Sequence, residues 1–404
     1  MTDRLYYCDS YIREFQARVT DVRTIENRTA VLLDRSAFYP ESGGQPGDTG
    51  VLGDARVVDV QENESGEVLH FVDRAPAETE VACRLDWDRR FDHMQQHTGQ
   101  HLLSEAFLAE AQAPTISFHL GTEASTIDLD IPDLSAALLQ RVEQAAQDWI
   151  IRNVPVAVSF CSLEEARRLP LRKPPKREGT IRVVEIQGYD WTACGGTHLR
   201  TTGELGSVLI AQADHYKGGM RIEFLSGGRA FRYAARQRQI LKGLAAPLSA
   251  PPEEMLEVVQ RMLAERTALN RQLRDLRERI NGYETEELWH GSVPVPQGRL
   301  VQALVEAESP EHLKYLAAAL IRKGPCLVLL AGRGSPGWAV AASSLPDLPE
   351  IGKSFSQVLG RHGGRGGGRG TFAQGGGFPG DRSPALLEDL RQALLGAGGG
   401  SATA

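Results

Sequence analysis

Two histidines four residues apart, His97 and His101, stand in the stretch Gln96-His97-Thr98-Gly99-Gln100-His101-Leu102-Leu103. Leu102, Leu103, Ala106 and Phe107 follow at helical intervals. On a helix, positions i and i+4 lie one above the other, so both imidazoles can reach one point. Far downstream, Cys194-Gly195-Gly196-Thr197-His198 repeats the spacing with a thiol and a third imidazole. Three imidazoles and one thiolate make a tetrahedral zinc set. The intervening glycines let backbone fold close to a ligand. Each pair alone has a plainer explanation, as two helix-surface histidines or as a buried cysteine beside a tight turn. Together they predict one zinc ion per chain held by His97, His101, Cys194 and His198. Thr98 stands where an H-E-x-x-H metalloprotease carries its glutamate base, which disfavours that chemistry.

The elements that must position these residues divide the chain into four. Residues 1–90 read as a small β-barrel, with strand-like runs at 30–34, 55–60 and 67–72 separated by Gly, Asp, Asn and Pro clusters. The loop Glu41-Ser42-Gly43-Gly44-Gln45-Pro46-Gly47 joins two of its strands, and its glycines read as turn chemistry. Residues 91–228 form an α+β zinc-containing unit. The histidine helix begins near 88–92, strands follow at 115–120 and 125–130, and a helix runs over 134–152. A strand at 154–160, a short helix capped by Ser162 and a strand at 180–186 lead into Cys194. Residues 229–290 read as a helical linker in two parts, divided by Pro247, Pro251 and Pro252. Met255, Val259, Met262, Leu269, Leu273, Leu276 and Ile280 keep a 4-3 spacing interrupted by Arg266 alone. That is coiled-coil grammar, serving either a dimer seam or a hairpin folded on its own chain. Residues 291–404 read as a small α/β domain, with strands at 300–306 and 326–331 flanking a helix at 310–323. The fold class expected is α+β multidomain.

Composition narrows the function classes. Hydrophobic residues at 41% suffice for real cores, and a net charge of −7 argues against a wholly basic nucleic-acid binder. Local basic patches run against that total. One is Arg167, Arg168, Arg172, Lys173, Lys176, Arg177 and Arg182; another is Arg229, Arg232, Arg236, Arg238 and Lys242. A single patch is ordinarily a solvated face, whereas several on an acidic chain suggest a polyanion track. Arg361, Arg365 and Arg369 stand among the glycines of 360–370, which read either as a flexible loop or as a phosphate-approaching backbone. Five scattered cysteines without C-x-x-C fit a reducing, cytoplasmic setting. No signal-peptide core and no run of about 18 apolar residues appears, so no membrane partner is expected. The tail 396–404 reads as disordered.

The motif His97-Thr98-Gly99-Gln100-His101-Leu102-Leu103 with Cys194-Gly195-Gly196-Thr197-His198 resembles the editing domain of alanyl-tRNA synthetase. It resembles still more the freestanding AlaX alanyl-tRNA editing proteins, in the long form that carries a C-terminal DHH-associated domain. The block Phe38-Tyr39-Pro40-Glu41-Ser42-Gly43-Gly44-Gln45-Pro46-Gly47-Asp48-Thr49-Gly50 resembles the segment preceding that domain, and the glycine-rich stretch resembles the terminal one. The resemblance runs in order from about Phe38 to Gly377.

It implies a zinc-dependent hydrolase that deacylates tRNA for alanine wrongly charged with serine or glycine. A pocket accepting alanine's methyl rejects serine or glycine by only ~10–200-fold, so a second hydrolytic site is needed. In this reading Gly195 and Gly196 offer backbone N–H groups to the oxyanion. Gln100, His119 and Thr197 are the candidate polar contacts, although His119 departs from the glutamine usual in the synthetase. Arg361, Arg365 and Arg369 are the expected tRNA contacts. Nothing in the sequence resembles the synthetase's aminoacylation domain, so no ATP-dependent charging is expected. The alternative is a zinc-containing RNA-binding module without hydrolysis. A DHH-type phosphodiesterase would need an Asp-His-His tripeptide, which the chain lacks.

Overall fold

In the computed structural model the chain forms two compact units, Met1–Pro252 and Glu253–Ala404. The structure describes residues 2–175, 179–307, 309–346, 348 and 350–396; most of the 396–404 tail, and Lys176 and Arg177 of the first basic patch, lie outside them.

The first unit opens with a closed six-stranded antiparallel barrel. Its strands, in order around the barrel, are Glu14–Ile25, Arg28–Leu33, Val68–Val72, Ala55–Glu62, Gly50–Leu52 and Glu80–Leu85. Glu80–Leu85 alternates exposed and buried residues strictly, as a half-buried strand should. Glu26 and Asn27 both take positive φ, which suits a two-residue hairpin between the first two strands. Val31, Leu33, Phe38, Leu52, Val57, Val60 and Val81 fill the interior.

The histidine helix, Trp87–Ala111, leaves the last barrel strand directly. Asp86 caps it, its side chain accepting from the Arg89 N–H, and Asp88 adds favourable negative charge in the first turn. Leu102, Leu103, Ala106 and Phe107 are fully buried and share a core with Val142, Ala146 and Ile150 of the helix Ala136–Arg152. The same core takes in Ile127, Ile222 and Phe224 of a four-stranded sheet ordered Val208–Tyr216, Gly219–Ser226, Ser125–Leu129, Thr115–Leu120. A second, three-stranded sheet joins Val156–Cys161, Ile181–Ile186 and Asp190–Ala193, and its last strand ends at the residue before Cys194. The helix Gly228–Leu248 closes the unit. Pro247 lies inside its last turn, so the break between the two linker helices falls after it and not at that proline.

In the second unit, the helix Met255–His290 precedes a six-stranded mixed sheet. Gly298–Val305 and Cys326–Gly332 pair in parallel, joined by the helix Pro310–Lys323, which is the β-α-β arrangement expected. The glycine stretch is an ordered hairpin, Arg365–Arg369 with Phe372–Phe378, and not a flexible loop. Its composition follows from close packing. A Cβ at Gly352 of the helix Ile351–Arg361 would collide with the Gly368 carbonyl, and one at Gly366 with Gly375. No described helix is long and apolar enough to cross a membrane.

Candidate metal centre

The ligand atoms of His97, His101, Cys194 and His198 all lie within 4.8 Å of one another. The three histidines are 2–4% exposed. Cys194 Sγ stands 3.5 Å from His97 Nε2 and 3.3 Å from His198 Nε2. A zinc tetrahedron with bonds of about 2.3 Å to sulfur and about 2.1 Å to nitrogen has S···N edges of about 3.5 Å. The donor set therefore fits zinc in both chemistry and spacing.

The far side of each ring shows how it is aimed. His97 Nδ1 lies 2.8 Å from Gln45 Oε1, an acceptor, so Nδ1 carries the proton and Nε2 is left with its lone pair toward the thiol. His101 Nδ1 lies 2.8 Å from Asp190 Oδ2, with the same consequence. His198 Nδ1 is 3.4 Å from the Thr98 hydroxyl. Asp190 is held in turn by Thr192, whose hydroxyl lies 3.0 Å from both carboxylate oxygens, and by Arg172 at 3.5 Å.

Charge distribution supports a thiolate. Burial pushes the Cys194 thiol up, but His97, His198 and His101 outweigh burial and hold it well below the ordinary range. Burial, reinforced by His97, pushes His198 down to about 3, so its ring is neutral and able to ligate. Burial opposes the ionised form of Asp190, yet the bond to His101 keeps its carboxyl below the usual range.

The loop before the helix is wired to this centre. Gly43 and Gly44 both take positive φ, and Ser42 and Gln45 exchange backbone hydrogen bonds of 3.1 and 3.0 Å across them. This tight turn presents the Gln45 side chain. Gln45 Oε1 also accepts from the Thr197 N–H at 3.1 Å, and Gln45 Nε2 donates to the Thr197 hydroxyl at 2.8 Å. One fully buried amide thus ties His97 to the Cys194–His198 loop. Asp48 forms a buried ion pair with Arg90 of the histidine helix. Gly196 packs on the His97 ring with no room for a Cβ.

The remaining sequence candidates are dispersed. The Gly196 N–H points at Cys194 Sγ (3.4 Å), so it serves the sulfur, while Gly195 is exposed. Thr197 is occupied by Gln45. Gln100 Nε2 donates to Ser104 Oγ at 2.7 Å, and its Oε1 is buried without a partner. His119 is exposed and lies outside the cluster; its strand neighbour Phe118 instead contacts the His97 ring, with centroids 5.3 Å apart. Arg361, Arg365 and Arg369 are exposed in the second unit. Gln45, Asp190, Thr98 and Arg172 were not foreseen as site residues. Gln45 lies in the Glu41–Gly47 loop and Asp190 four residues before Cys194, but neither spacing announces a supporting role.

The family model described as the threonyl and alanyl tRNA synthetase second additional domain matches residues 181–223, and that of class II (A) tRNA synthetases matches residues 8–89. The alanyl-tRNA editing protein AlaX-L of Pyrococcus horikoshii is 30% identical over 389 residues, covering 93% of this chain and 94% of that protein. The chain belongs to the AlaX family of alanyl-tRNA editing proteins. A second editing protein, Aarsd1-B of Xenopus laevis, is 35% identical over 61% of this chain and 62% of its own. The alanine–tRNA ligase of Pyrobaculum neutrophilum is 34% identical over 97% of this chain, which spans 44% of that enzyme. Shared ancestry across nearly the whole AlaX-L protein gives the buried cluster its context. Gln45, the helix residues His97, Thr98 and His101, and the segment from Asp190 to His198 form one hydrogen-bonded assembly around the thiol.

Proposed function

We propose that this AlaX-family chain hydrolyses the ester of tRNA for alanine wrongly charged with serine, and more weakly with glycine, acting in trans and without charging tRNA. The products are the free amino acid and tRNA with its ribose hydroxyl restored. The observation that carries the reading is the buried His97, His101, Cys194 and His198 cluster in a chain that matches AlaX-L almost end to end. Zinc held there supplies a Lewis acid able to orient the terminal ribose or polarise the ester. The chain's own groups do the rest. Gly195, whose neighbour's N–H is engaged by sulfur, is the backbone donor left for the oxyanion. Gln100 Oε1, buried and unpartnered, is the acceptor suited to serine's hydroxyl. An unmatched polar group penalises alanine, which lacks the hydroxyl, and glycine likewise. Arg361, Arg365 and Arg369 contribute phosphate contacts, and the exposed seam of Met255–His290 pairs two chains.

The test is a deacylation time course on seryl-, glycyl- and alanyl-tRNA for alanine, alongside a charging assay with ATP. Seryl-tRNA should be cleaved much faster than alanyl-tRNA, and Gln100→Leu should narrow the difference. Equal rates on both esters would make the chain a general ester hydrolase, unable to proofread. A second reading has one observation in its favour: four protein ligands fill a tetrahedron, as structural zinc sites do. In that case the chain binds RNA without hydrolysis, and zinc-replete protein shows no turnover on any of the three esters.

A further inference from the structure

The helix Gly228–Leu248 begins beside the histidine helix. Gln96 clamps Ser226 through two bonds of 3.0 Å, and the Gly228 N–H donates to Gln95 at 3.2 Å. Arg229 then turns inward. It binds Asp92 through Nε and Nη2 and donates from Nη1 to the Gly121 carbonyl at 2.6 Å. With Ala230 also buried, this anchors one side of the helix on the Asp92–Gln96 face of the histidine helix, the face turned away from His97 and His101.

The opposite side faces solvent. Phe231, Arg238 and Lys242 recur at i, i+7 and i+11, which places them in one stripe facing away from Arg229 and Ala230. Phe231 is 73% exposed, and Arg238 and Lys242 are exposed. Arg232 adds one more exposed cation on the flank, while Arg236, seven residues after Arg229, is exposed on the other side. No Asp or Glu occurs between residues 224 and 252, in a chain whose net charge is −7. Among the described residues, none of Arg232, Arg236, Arg238 and Lys242 has a carboxylate partner. Cations without counter-charges around an exposed ring suit a polyanion that also offers a face for stacking, which is RNA.

We propose that the outward stripe of this helix, Phe231, Arg238 and Lys242 with Arg232 beside it, docks the phosphate backbone and one base of the tRNA whose 3′ end reaches the metal centre. The proposal rests on the editing function above. A helix of this length spans about 30 Å, long enough to follow several phosphates of an RNA strand.

The experiment measures binding of uncharged tRNA for alanine to the full-length protein by fluorescence anisotropy across a salt series. Arg238→Gln with Lys242→Gln should lower the slope of log affinity against log salt by about 1.4 to 1.8, since each phosphate contact contributes about 0.7 to 0.9. Phe231→Ala should weaken binding roughly tenfold. The control Arg141→Gln with Arg152→Gln removes equal charge elsewhere and should leave the slope alone. Zinc content and melting temperature, read on each variant, report folding. An unchanged slope in the helix variant, or an equal fall in the control, overturns the proposal. So does binding to phosphatidylserine vesicles that depends on these residues while tRNA binding does not. If the wild type cleaves seryl-tRNA but the helix variants bind normally, the surface falls and the editing reading stands. If the wild type cleaves no aminoacyl-tRNA but the variants lose binding, the editing reading falls and the surface stands.

Discussion

Replacing Asp190 tests whether the buried shell around the cluster tunes a metal site. Its side chain is fully buried, with one oxygen 2.8 Å from His101 Nδ1 and the other 3.5 Å from Arg172. In Asp190→Asn the amide oxygen can still accept from Nδ1–H, so the ring stays aimed. What is lost is the negative charge that makes His101 a better donor and neutralises Arg172. Asp190→Leu removes the hydrogen bond as well, freeing the tautomer and the orientation. Outer-shell partners of this kind change metal affinity by about 10–100-fold, or about 1.4–2.7 kcal/mol. Asn should sit near the low end of that range and Leu at or beyond the high end. The assay is competition for zinc between the protein and a chromophoric chelator at pH 7, with circular dichroism to confirm that each variant is folded. Wild-type zinc affinity in both folded variants would refute the assigned role, and a weaker Asn than Leu would refute the division between charge and orientation.

Three further expectations follow from other parts of the molecule. His70 is fully buried in the barrel wall, where Nδ1 donates to the Val31 carbonyl (3.0 Å) and Nε2 accepts from the Ser36 hydroxyl (2.8 Å), and burial pushes its pKa down to about 4. Below about pH 6.5 the unfolded chain takes a proton that the folded chain refuses, so stability falls toward pH 4 by about 3 kcal/mol from this group. His70→Gln should lose that much less between pH 7 and pH 4 in urea titrations; an identical pH dependence would contradict it. Leu269, Leu273 and Leu276 are 63%, 49% and 52% exposed on the long helix, so polar substitutions there should convert a sedimenting dimer to monomer. A dimer that survives them is held elsewhere. Neutralising Arg361, Arg365 and Arg369 together should raise the KM for charged tRNA with kcat largely kept, and an unchanged KM would leave the glycine hairpin a structural element.

The sequence made the buried His97, His101, Cys194 and His198 cluster legible because each pair is local: four residues apart on a helix, and four apart across a glycine turn. The core behind them was legible for the same reason, since Leu102, Leu103, Ala106 and Phe107 repeat at helical intervals and are all buried. The long barrel strand Glu14–Ile25 was not, because eight of its twelve residues are exposed and the alternation kept from Glu14 to Thr20 is lost over residues 21–24. The first basic patch misled in part. Arg172 pairs with Asp190, and Arg182 donates to the Cys194 carbonyl at 2.7 Å, so two of its cations brace the centre and do not face a polyanion. Composition cannot separate an arginine that supports a buried site from one that meets solvent.

The glycine-rich loop before the histidine helix shows where local reading runs out. Gly43 and Gly44 are turn residues, as their positive φ values require, and Gly47 lets the chain pass close to the Val60 carbonyl. Yet the turn exists to place Gln45 between His97 and Thr197, and Asp48 against Arg90. Both partners are fully buried, so each replaces water-satisfied polar atoms with fixed protein ones, and losing either side strands a buried polar group or charge. Asp48 and Arg90 fix the loop to the helix, and Gln45 uses that fixed position to set a ligand's tautomer. A barrel loop, a helix and a distant glycine turn therefore stand or fall together. That coupling explains how a site drawn from segments some 150 residues apart is held to hydrogen-bond precision: the support is as long-range as the ligand set itself, and only the folded chain brings it to one place.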